Sequence, residues 1–528
     1  MKSGSLFGND IRLEDIKGAY EKIKRRALLA LEAGETERSI QELECAARTA
    51  YQFNFIYADS EAEEILRGIS KKLFPTVSTF VPRTDRYVFY DSFGKENRNL
   101  TQQYIRALMQ LGYEFLYVFE RKDPRYSQTI ESDLEGYSKA EIFELDSSLP
   151  SSEQACQLYQ RLVEYAPSKA LLQLLPWAVV ALAVFYALPQ VTKYNINLTD
   201  HAFWLGNECL DYNLEFRDYG CTVSLEKRKL KEEQLLLLPY YPVINRKRFE
   251  GFPKEVTPDK VLIFSGGAFY KIYGEKGIYF DLVARLLEEN PSSVLLYAGD
   301  GDRKPMERFI RKHHFEHRVF LLGNRRDINE VFAAADIYLG TYPFTGGLMS
   351  QYAAVNGKPI LAYSSLEFAT NFVEGIVCHN KPLQITHTDL ELFFAYGRCL
   401  CEDAEFRKAE GEKLRRCVIS PEEFAVELRD VLQKNVSSRV WKPEKIDYEK
   451  FHGLYVEVEN RFQYTWKLML LRKYKLRMLT YFPRLFVMLL PRLVHACFRR
   501  SLAFCKKMEK FVKRSLFFMG SWGLRLLS

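Results

Sequence analysis

The sequence predicts an α/β protein with two doubly wound parallel sheets, preceded by a helical segment and followed by a basic helical tail. Short apolar runs alternate with amphipathic helical stretches from about residue 86, and the alternation restarts after the loop at 239–260. Such alternation is typical of parallel strands joined by crossover helices. With 528 residues, 47% of them hydrophobic, the chain is long enough for two or three globular domains.

Five segments follow from this pattern. They are a helical N-terminal appendage at 1–80, a first sheet domain at 84–250, a second at 258–435, a crossover helix region at 436–466 and a basic amphipathic tail at 467–528. The first domain's strands are predicted at 87–93, 115–120, 140–145, 170–175, 195–199 and 221–225. The second domain's strands are predicted at 261–265, 293–298, 319–322, 337–339, 359–362 and 375–378. Ligands of such folds bind beyond the carboxyl ends of the strands, here in the cleft between the domains.

Apolar residues recur every three to four positions between residues 11 and 73, with a break at Gly34. This spacing predicts a helical hairpin or small bundle, for which two roles stay open: contact with a protein partner, or a purely structural appendage. The apolar stretch 170–189 is long enough to span a bilayer, but Pro176, Pro189 and Gln173 interrupt it. We predict a buried strand at 170–175 followed by a helix at 177–188 instead.

The positive charge of the chain is concentrated in its tail. The formal net charge is +7, yet residues from 465 onward hold 15 Lys and Arg against one acidic residue, Glu509. The body is therefore acidic, which argues against a nucleic-acid partner. Basic clusters interleaved with aromatic residues predict interfacial helices on an anionic membrane surface. The alternative is a basic helical pair that packs on the acidic body or on a partner.

Cysteine usage and the N-terminus indicate the compartment. The ten cysteines form no CxxC pair and have no histidine partners at zinc spacing, and residues 1–10 are polar. We expect reduced thiols, no signal peptide and no metal site. The predicted location is the cytoplasm, peripheral to the inner face of the cell membrane.

A candidate anion site begins at the first strand of the second domain. Gly266 and Gly267 end that strand, and Lys271 and Lys276 follow before a helix. Glycines let backbone amides approach an anion closely, and lysines neutralise a diphosphate as point charges. Taken alone, the pattern is also compatible with solvated lysines.

Further landmarks follow in a fixed order. A strand enters Gly-Asp-Gly at 299–301, Leu-Gly-Asn-Arg-Arg-Asp spans 322–327, and Ala-Ala-Ala-Asp at 333–336 begins another strand. A glycine loop at 345–350 then opens a helix that ends in Gly-Lys-Pro at 357–359. This run, about 261–374, resembles the donor half of the GT-B glycosyltransferases, which have two Rossmann-like domains and use nucleotide sugars.

The resemblance implies roles for individual residues. The glycine loop would bind the sugar diphosphate with backbone amides and the positive end of the helix dipole. The loop residues concerned are Thr345, Gly346, Gly347 and Ser350. Lys271 and Lys276 would stabilise the departing nucleoside diphosphate without a metal or other cofactor. Asn324 and Arg325 would contact the nucleobase or ribose.

The sequence also departs from the retaining members of this group. Many of these carry two glutamates around the glycine loop, where this chain has Phe344 and Tyr352. The loop is more similar to those of inverting relatives of the protein O-GlcNAc transferase, and both stereochemical outcomes stay open.

Two stretches of the first domain are candidates for the acceptor side. Asn97, Arg98 and Asn99 follow its first strand and are predicted acceptor contacts, or a plain loop with Asn99 as a helix cap. Residues 200–206 read Asp-His-Ala-Phe-Trp-Leu-Gly, which resembles a signature of bacterial polysaccharide glycosyltransferases.

His201 is the candidate general base, since an imidazole has a suitable pKa to deprotonate an acceptor hydroxyl, and the adjacent Asp200 is the second catalytic candidate. Adjacent residues of a strand point in opposite directions, so only one of the two is expected to face the sugar. The alternative is that His201 caps a strand or hydrogen-bonds the core while Asp200 makes a turn. Arg217 and Asp218 are secondary candidates.

Together these observations predict a membrane-associated glycosyltransferase. It would move a sugar from a nucleotide donor, UDP-linked by preference, to a glycan or lipid-linked acceptor hydroxyl of a surface polysaccharide precursor. Two alternatives stay open: a nucleotide-sugar epimerase of GT-B fold, and a non-catalytic scaffold subunit.

Overall fold

The computed structural model describes residues 12–76, 80–94, 100–120, 124–459 and 463–489. The described residues fall into two compact units. The larger lies within 20–458, and the smaller combines residues of 1–19 with residues of 459–528. The predicted acceptor contacts Asn97, Arg98 and Asn99, and the tail beyond 489, lie outside the described residues.

Three helices precede the first sheet, which confirms the predicted helical bundle. They are α1 (Leu13–Glu32), α2 (Thr36–Phe53) and α3 (Ser60–Leu73). Asp59 caps α3 by accepting hydrogen bonds from the amides of Glu61 and Ala62. The hydroxyl of Ser70 donates to the carbonyl of Ala183 over 2.6 Å, so α3 packs directly on the first sheet domain.

The first sheet has seven parallel strands in the order β3-β2-β1-β4-β5-β6-β7. Its strands are β1 (Arg83–Asp91), β2 (Glu114–Glu120), β3 (Ala140–Leu145), β4 (Pro167–Gln173), β5 (Thr192–Ile196), β6 (Tyr212–Glu215) and β7 (Leu235–Leu237). The connecting helices are α4 (Leu100–Gln110), α5 (Pro124–Leu134), α6 (Ser151–Tyr165), α7 (Val179–Tyr186) and α8 (Asp218–Glu226). The strand order reverses between β1 and β4, and the cleft of a doubly wound fold lies at such a switch point.

The second sheet has six strands in the order β10-β9-β8-β11-β12-β13. They are β8 (Val261–Gly266), β9 (Ser293–Ala298), β10 (Val319–Gly323), β11 (Ile337–Leu339), β12 (Ile360–Tyr363) and β13 (Thr386–His387). Its helices are α9 (Ile278–Glu289), α10 (Lys304–His313), α11 (Ile328–Ala334), α12 (Gly347–Val355), α13 (Glu374–Val377), α14 (Leu390–Glu402) and α15 (Ala404–Arg415). The two sheets repeat one topology, which confirms the predicted α/β class with two doubly wound domains.

The chain then returns to the first domain through α16 (Pro421–Lys434). The ring of Phe424 meets that of Tyr104 on α4 at 5.1 Å, and Leu428 lies in the same buried cluster. Helix α17 (Tyr448–Glu459) ends the larger unit.

The smaller unit contains α18 (Gln463–Tyr474) and α19 (Met478–Tyr481), joined by a 3-10 turn at Lys475–Arg477. An ion pair of 3.0 Å links Arg484 to Asp15. Within the described residues, none of the helices combines the length and the apolar character needed to cross a membrane.

Two predicted strands are wrong. Residues 221–225 belong to helix α8, and residues 375–378 largely to α13. Both are short apolar runs buried in the protein, where periodicity cannot separate a strand from a buried helix. Strands β6, β7 and β13, which span two to four residues, were not predicted. The strand and helix predicted within 170–189 are confirmed by β4 and α7.

Candidate active site

Asp200 and His201 lie in a turn rather than on a strand. Strand β5 ends at Ile196, so the prediction that it continues to 199 is wrong and the alternation of strand side chains does not apply. Oδ1 of Asp200 lies 3.2 Å from Nδ1 of His201. Asp200 is fully buried, whereas the His201 side chain keeps 35% of its surface exposed. The two side chains therefore act as a pair.

The charge on Asp200 determines which nitrogen of the His201 imidazole carries the proton. Burial alone would raise the pKa of Asp200, but the positive charge of Arg217 outweighs burial and holds that pKa well below its ordinary value. Nε of Arg217 donates to Oδ2 of Asp200 over 2.6 Å. An ionised carboxylate can only accept hydrogen bonds, so Nδ1 of His201 carries the proton. In the neutral imidazole with this tautomer, Nε2 has the lone pair that can accept a proton from a substrate.

Residues from distant segments hold the backbone of this turn. Arg228 is fully buried and donates to the carbonyls of Asp200 (2.9 Å) and Ala202 (2.6 Å). Asn54 caps α2 in the left-handed conformation, with φ 43°. The side-chain Nδ2 of Asn54 donates to the His201 carbonyl over 2.8 Å, and its side-chain Oδ1 accepts from the backbone amide of Phe203 over 2.9 Å. The N-terminal helices therefore help to build the candidate site.

A second buried carboxylate supports the same region. Oε1 of Glu215 accepts hydrogen bonds from the side chains of Asn197 (2.8 Å) and Ser224 (2.5 Å). Burial raises its pKa to about 7. A Cβ on Gly220 would lie 2.2 Å from Oε2 of Glu215, so α8 approaches this carboxylate closely only because residue 220 is glycine.

The donor side is built from close backbone contacts. A Cβ on Gly299 would lie 1.9 Å from the Gly267 carbonyl oxygen, and one on Gly266 would lie 2.8 Å from that of Ala298. Gly267 itself has φ 137°, and its amide donates to the Ala298 carbonyl over 2.9 Å. The loops after β8 and β9 can meet in this way only with glycine at these positions. Phosphate binding by Gly266 and Gly267 stays a prediction.

The structure separates the two predicted lysines. Nζ of Lys271 donates to the Thr345 carbonyl over 3.0 Å, and the Phe344 amide donates to the Lys271 carbonyl over 3.2 Å. Lys271 thus lies directly against the glycine loop. Lys276 is exposed, in the left-handed conformation (φ 56°) just ahead of α9.

The glycine loop opens α12 as the sequence indicates. Gly346 precedes the helix and Gly347 is its first residue. The Thr345 amide donates to Oδ1 of Asn371 over 3.1 Å, which ties the loop to the chain after β12. Ser350 is fully buried and its hydroxyl donates back to the Gly346 carbonyl over 3.1 Å. All four phosphate contacts stay predictions, and Ser350 is the one whose side chain faces inward.

The predicted nucleobase contacts occupy different environments. Arg325 is largely buried and makes a bidentate pair with Asp327 at 2.7 and 2.6 Å. It also donates to the Gly251 carbonyl over 2.8 Å, so it joins the second domain to the interdomain segment. Asn324 is exposed at the end of β10. Contact with a nucleobase stays a prediction for both.

The two halves of the site meet at specific contacts. Nη1 of Arg217, in the first domain, donates to the Thr370 carbonyl of the second over 2.8 Å. On α17, the Tyr455 ring lies 6.2 Å from that of His201 and 6.3 Å from that of Phe344. One side chain therefore contacts both the candidate base and the glycine loop.

Sequence reasoning missed several contributors. The roles of Asn54 and Arg228 carry no local signal, because each acts on a turn that is distant in the chain. Arg217 was a secondary candidate, and its contacts place it between Asp200 and the second domain.

Comparison with solved structures identifies the architecture. No family model matches the chain, and no curated protein sequence matches it significantly. A mutant of the O-GlcNAc transferase from Thermobaculum terrenum superimposes with a TM-score of 0.50 at 15% identity, over 84% of this chain and 86% of that one. The chain has a GT-B fold. The resemblance first drawn from residues 261–374 is thereby confirmed for the fold.

Other structures with the GT-B fold match over a smaller part of the chain. The HepE protein of Anabaena, in complex with UDP and glucose, has 16% identity and a TM-score of 0.48, over 66% of this chain and 99% of that one. The UDP-GlcNAc 2-epimerase from Neisseria meningitidis, bound to UDP-GlcNAc, has 11% identity and a TM-score of 0.43, over 66% and 100%.

Proposed function

We propose that this GT-B protein is a glycosyltransferase that moves a sugar from a nucleotide donor, UDP-linked by preference, to an acceptor hydroxyl. The observation that carries the proposal is the arrangement around Tyr455. Its ring contacts the imidazole of His201 and also Phe344, the residue directly before the glycine loop. A base and a diphosphate site on opposite walls of one cleft are what a sugar transfer requires.

The chemistry assigned to each side follows from its charges. Nε2 of His201 takes the proton of the acceptor hydroxyl while that oxygen forms a bond to the anomeric carbon of the donor sugar. The bond from the anomeric carbon to the diphosphate oxygen breaks, and its electron pair leaves with the nucleoside diphosphate. Lys271 and the amides at the start of α12 stabilise this developing charge. No cofactor enters the proposal.

The proposal extends to the acceptor and the location. We take the acceptor to be a lipid-linked or surface polysaccharide precursor at the cytoplasmic face of the membrane. The support is the charge pattern of residues 465–528, with 15 basic residues among apolar and aromatic ones. The N-acetylglucosamine transferase named among the similar structures makes UDP-GlcNAc the first donor to test.

A donor screen tests the proposal. Full-length protein is incubated with a panel of UDP-sugars and membrane lipid extract, and both UDP release and transfer of labelled sugar to lipid are measured. We expect release and transfer with at least one donor, and loss of both in Lys271→Ala. Conversion of one UDP-sugar into another without UDP release would instead identify an epimerase. Failure to bind UDP would favour a scaffold.

A further inference from the structure

Helix α17 covers the candidate base. Phe451 and Tyr455 of this helix are only 2% and 8% exposed. The Phe451 ring meets His201 edge-on at 6.2 Å, with an interplanar angle of 89°, and the Tyr455 ring lies at the same distance. Two aromatic side chains therefore pack against the imidazole in the cleft through which an acceptor must approach.

The helix is attached to both domains. On the first domain, the Tyr448 hydroxyl donates to Oε2 of Glu226 over 2.7 Å. Toward the second domain, Lys450 forms an ion pair with Glu367, and Leu454 and Val458 lie in that domain's buried core. Helix α17 thus contacts both domains and bridges the cleft between them.

This arrangement restricts access to the candidate base, whose side chain is 35% exposed. A general base acts on a hydroxyl within hydrogen-bond distance, about 2.6–3.2 Å. The rings of Phe451 and Tyr455 restrict the space that a sugar hydroxyl needs beside His201. The polar attachments of α17 are exposed, with Lys450 and Glu367 each about half accessible. Exposed pairs contribute little stability, so the polar contacts set only a small part of the balance between the closed and open positions, and the buried side chains of Phe451, Leu454, Tyr455 and Val458 set the rest.

We propose that α17 is an autoinhibitory gate. In the state described, two of its rings pack against the imidazole and leave 35% of the His201 side chain exposed, and movement of the helix away from the imidazole gives an acceptor hydroxyl full access to Nε2. The inference rests on the proposed role of His201 as the base. It adds a conformational step between donor binding and transfer, so the closed population limits the rate.

A charge reversal in the ion pair between Lys450 of α17 and Glu367 provides the test. Lys450→Glu places two carboxylates against each other, away from the candidate site, and shifts the helix toward the open state. We expect UDP release from UDP-GlcNAc by the full chain to rise about two- to fivefold. The double variant Lys450→Glu/Glu367→Lys restores the attraction and is expected to return release to the wild-type rate.

A second readout needs no substrate. Diethyl pyrocarbonate modifies accessible imidazoles, and mass spectrometry follows the peptide that contains His201. Modification is expected to be faster in Lys450→Glu and to return to the wild-type rate in the double variant. Tyr448→Phe, which removes the hydrogen bond to Glu226, provides an independent variant with the same direction and a smaller effect.

The outcomes separate the gate from the proposed function. Unchanged or slower His201 modification in both Lys450→Glu and Tyr448→Phe would overturn the gate, even in an active enzyme. Faster modification in these variants, reversed in the charge-swapped protein, supports the gate. If no form of the protein releases UDP from any UDP-sugar, the glycosyltransferase proposal fails while the modification rates still report whether α17 covers His201.

Discussion

The two walls of the cleft are built in different ways. On the first domain, the turn at Asp200 is held by side chains from remote segments, among them Asn54, Arg217 and Arg228. On the second domain, Gly267 and Gly299 let two loops meet through close backbone contact, and the Tyr297 hydroxyl donates to the Gly267 carbonyl over 3.1 Å. The acceptor side therefore depends on a buried charged network, and the donor side on local loop geometry.

This difference has consequences for substitutions. A buried charge that loses its partner is strongly destabilising, whereas a single loop lysine can be removed without exposing a buried charge. We therefore expect substitutions on the first-domain side of the cleft to impair acceptor chemistry without weakening nucleotide binding. Substitutions on the second-domain side are expected to weaken nucleotide binding.

The largest expected effect comes from His201→Ala. Removal of the general base is expected to lower transfer by about 10²–10⁴-fold, while UDP affinity stays unchanged because the donor wall is intact. Turnover and calorimetric UDP binding are measured on the same preparation. The exposed His317 provides the control His317→Ala, which is expected to behave as wild type. Equal losses of turnover and UDP affinity in His201→Ala would show that the two walls are not separable.

Lys271→Ala addresses the donor wall. Because Nζ of Lys271 lies on the glycine loop, its loss is expected to reduce turnover by about 10²–10³-fold, as for other groups that stabilise charge in a transition state. Lys276→Ala is the matched control, with an expected loss below about tenfold, since that side chain is exposed. The reverse ranking of the two variants would assign the diphosphate contact to Lys276.

The acceptor wall is expected to carry a pH dependence of stability. Burial raises the pKa of Glu215 from 4.5 to about 7, so the folded state binds this proton more tightly than the unfolded state. Its stabilisation is complete below pH 4.5 and is lost as the pH rises through 7. The shift corresponds to roughly 3 kcal/mol of unfolding free energy.

Urea unfolding at pH 5 and pH 8 measures this difference. Glu215→Gln is expected to show a smaller difference than wild type, because the variant cannot ionise. Burial also raises the pKa of Glu63 to about 7. Because Glu63 is unchanged in this variant, part of the dependence of unfolding free energy on pH remains. An identical slope in Glu215→Gln and wild type would mean that Glu215 does not change its protonation on unfolding in this range.

The smallest effect is expected for Asn54→Gly. Glycine keeps the left-handed conformation at φ 43° and removes only the two hydrogen bonds to the turn. Without these hydrogen bonds, the turn positions the His201 imidazole less precisely. We therefore expect kcat to fall by about tenfold, with UDP affinity unchanged. An effect on UDP affinity alone would place Asn54 outside the acceptor wall.

Local sequence signals were sufficient for most of the second domain. Strands β8 and β9 are apolar runs bounded by glycine turns, and the loop at Gly346 opens a helix as its composition indicates. These features depend on neighbours in the chain, which is why these strands and this helix agree with the sequence.

The first domain and the cover of the site depend on distant contacts. Nothing around Arg228 distinguishes it from the lysines on either side, yet it is fully buried and holds the carbonyls of the Asp200 turn. Helix α17 packs on a histidine about 250 positions earlier in the chain. The pairing of Asp200 with His201 was obscured because the strand ends earlier than predicted, at Ile196.

Titration of UDP into the full-length protein tests whether the glycine loop is a nucleotide-sugar site. We expect binding of one UDP per chain, weakened at least about tenfold by Lys271→Ala and unaffected by His201→Ala. Absence of UDP binding to the wild-type protein would contradict the assignment of the glycine loop as a nucleotide-sugar site.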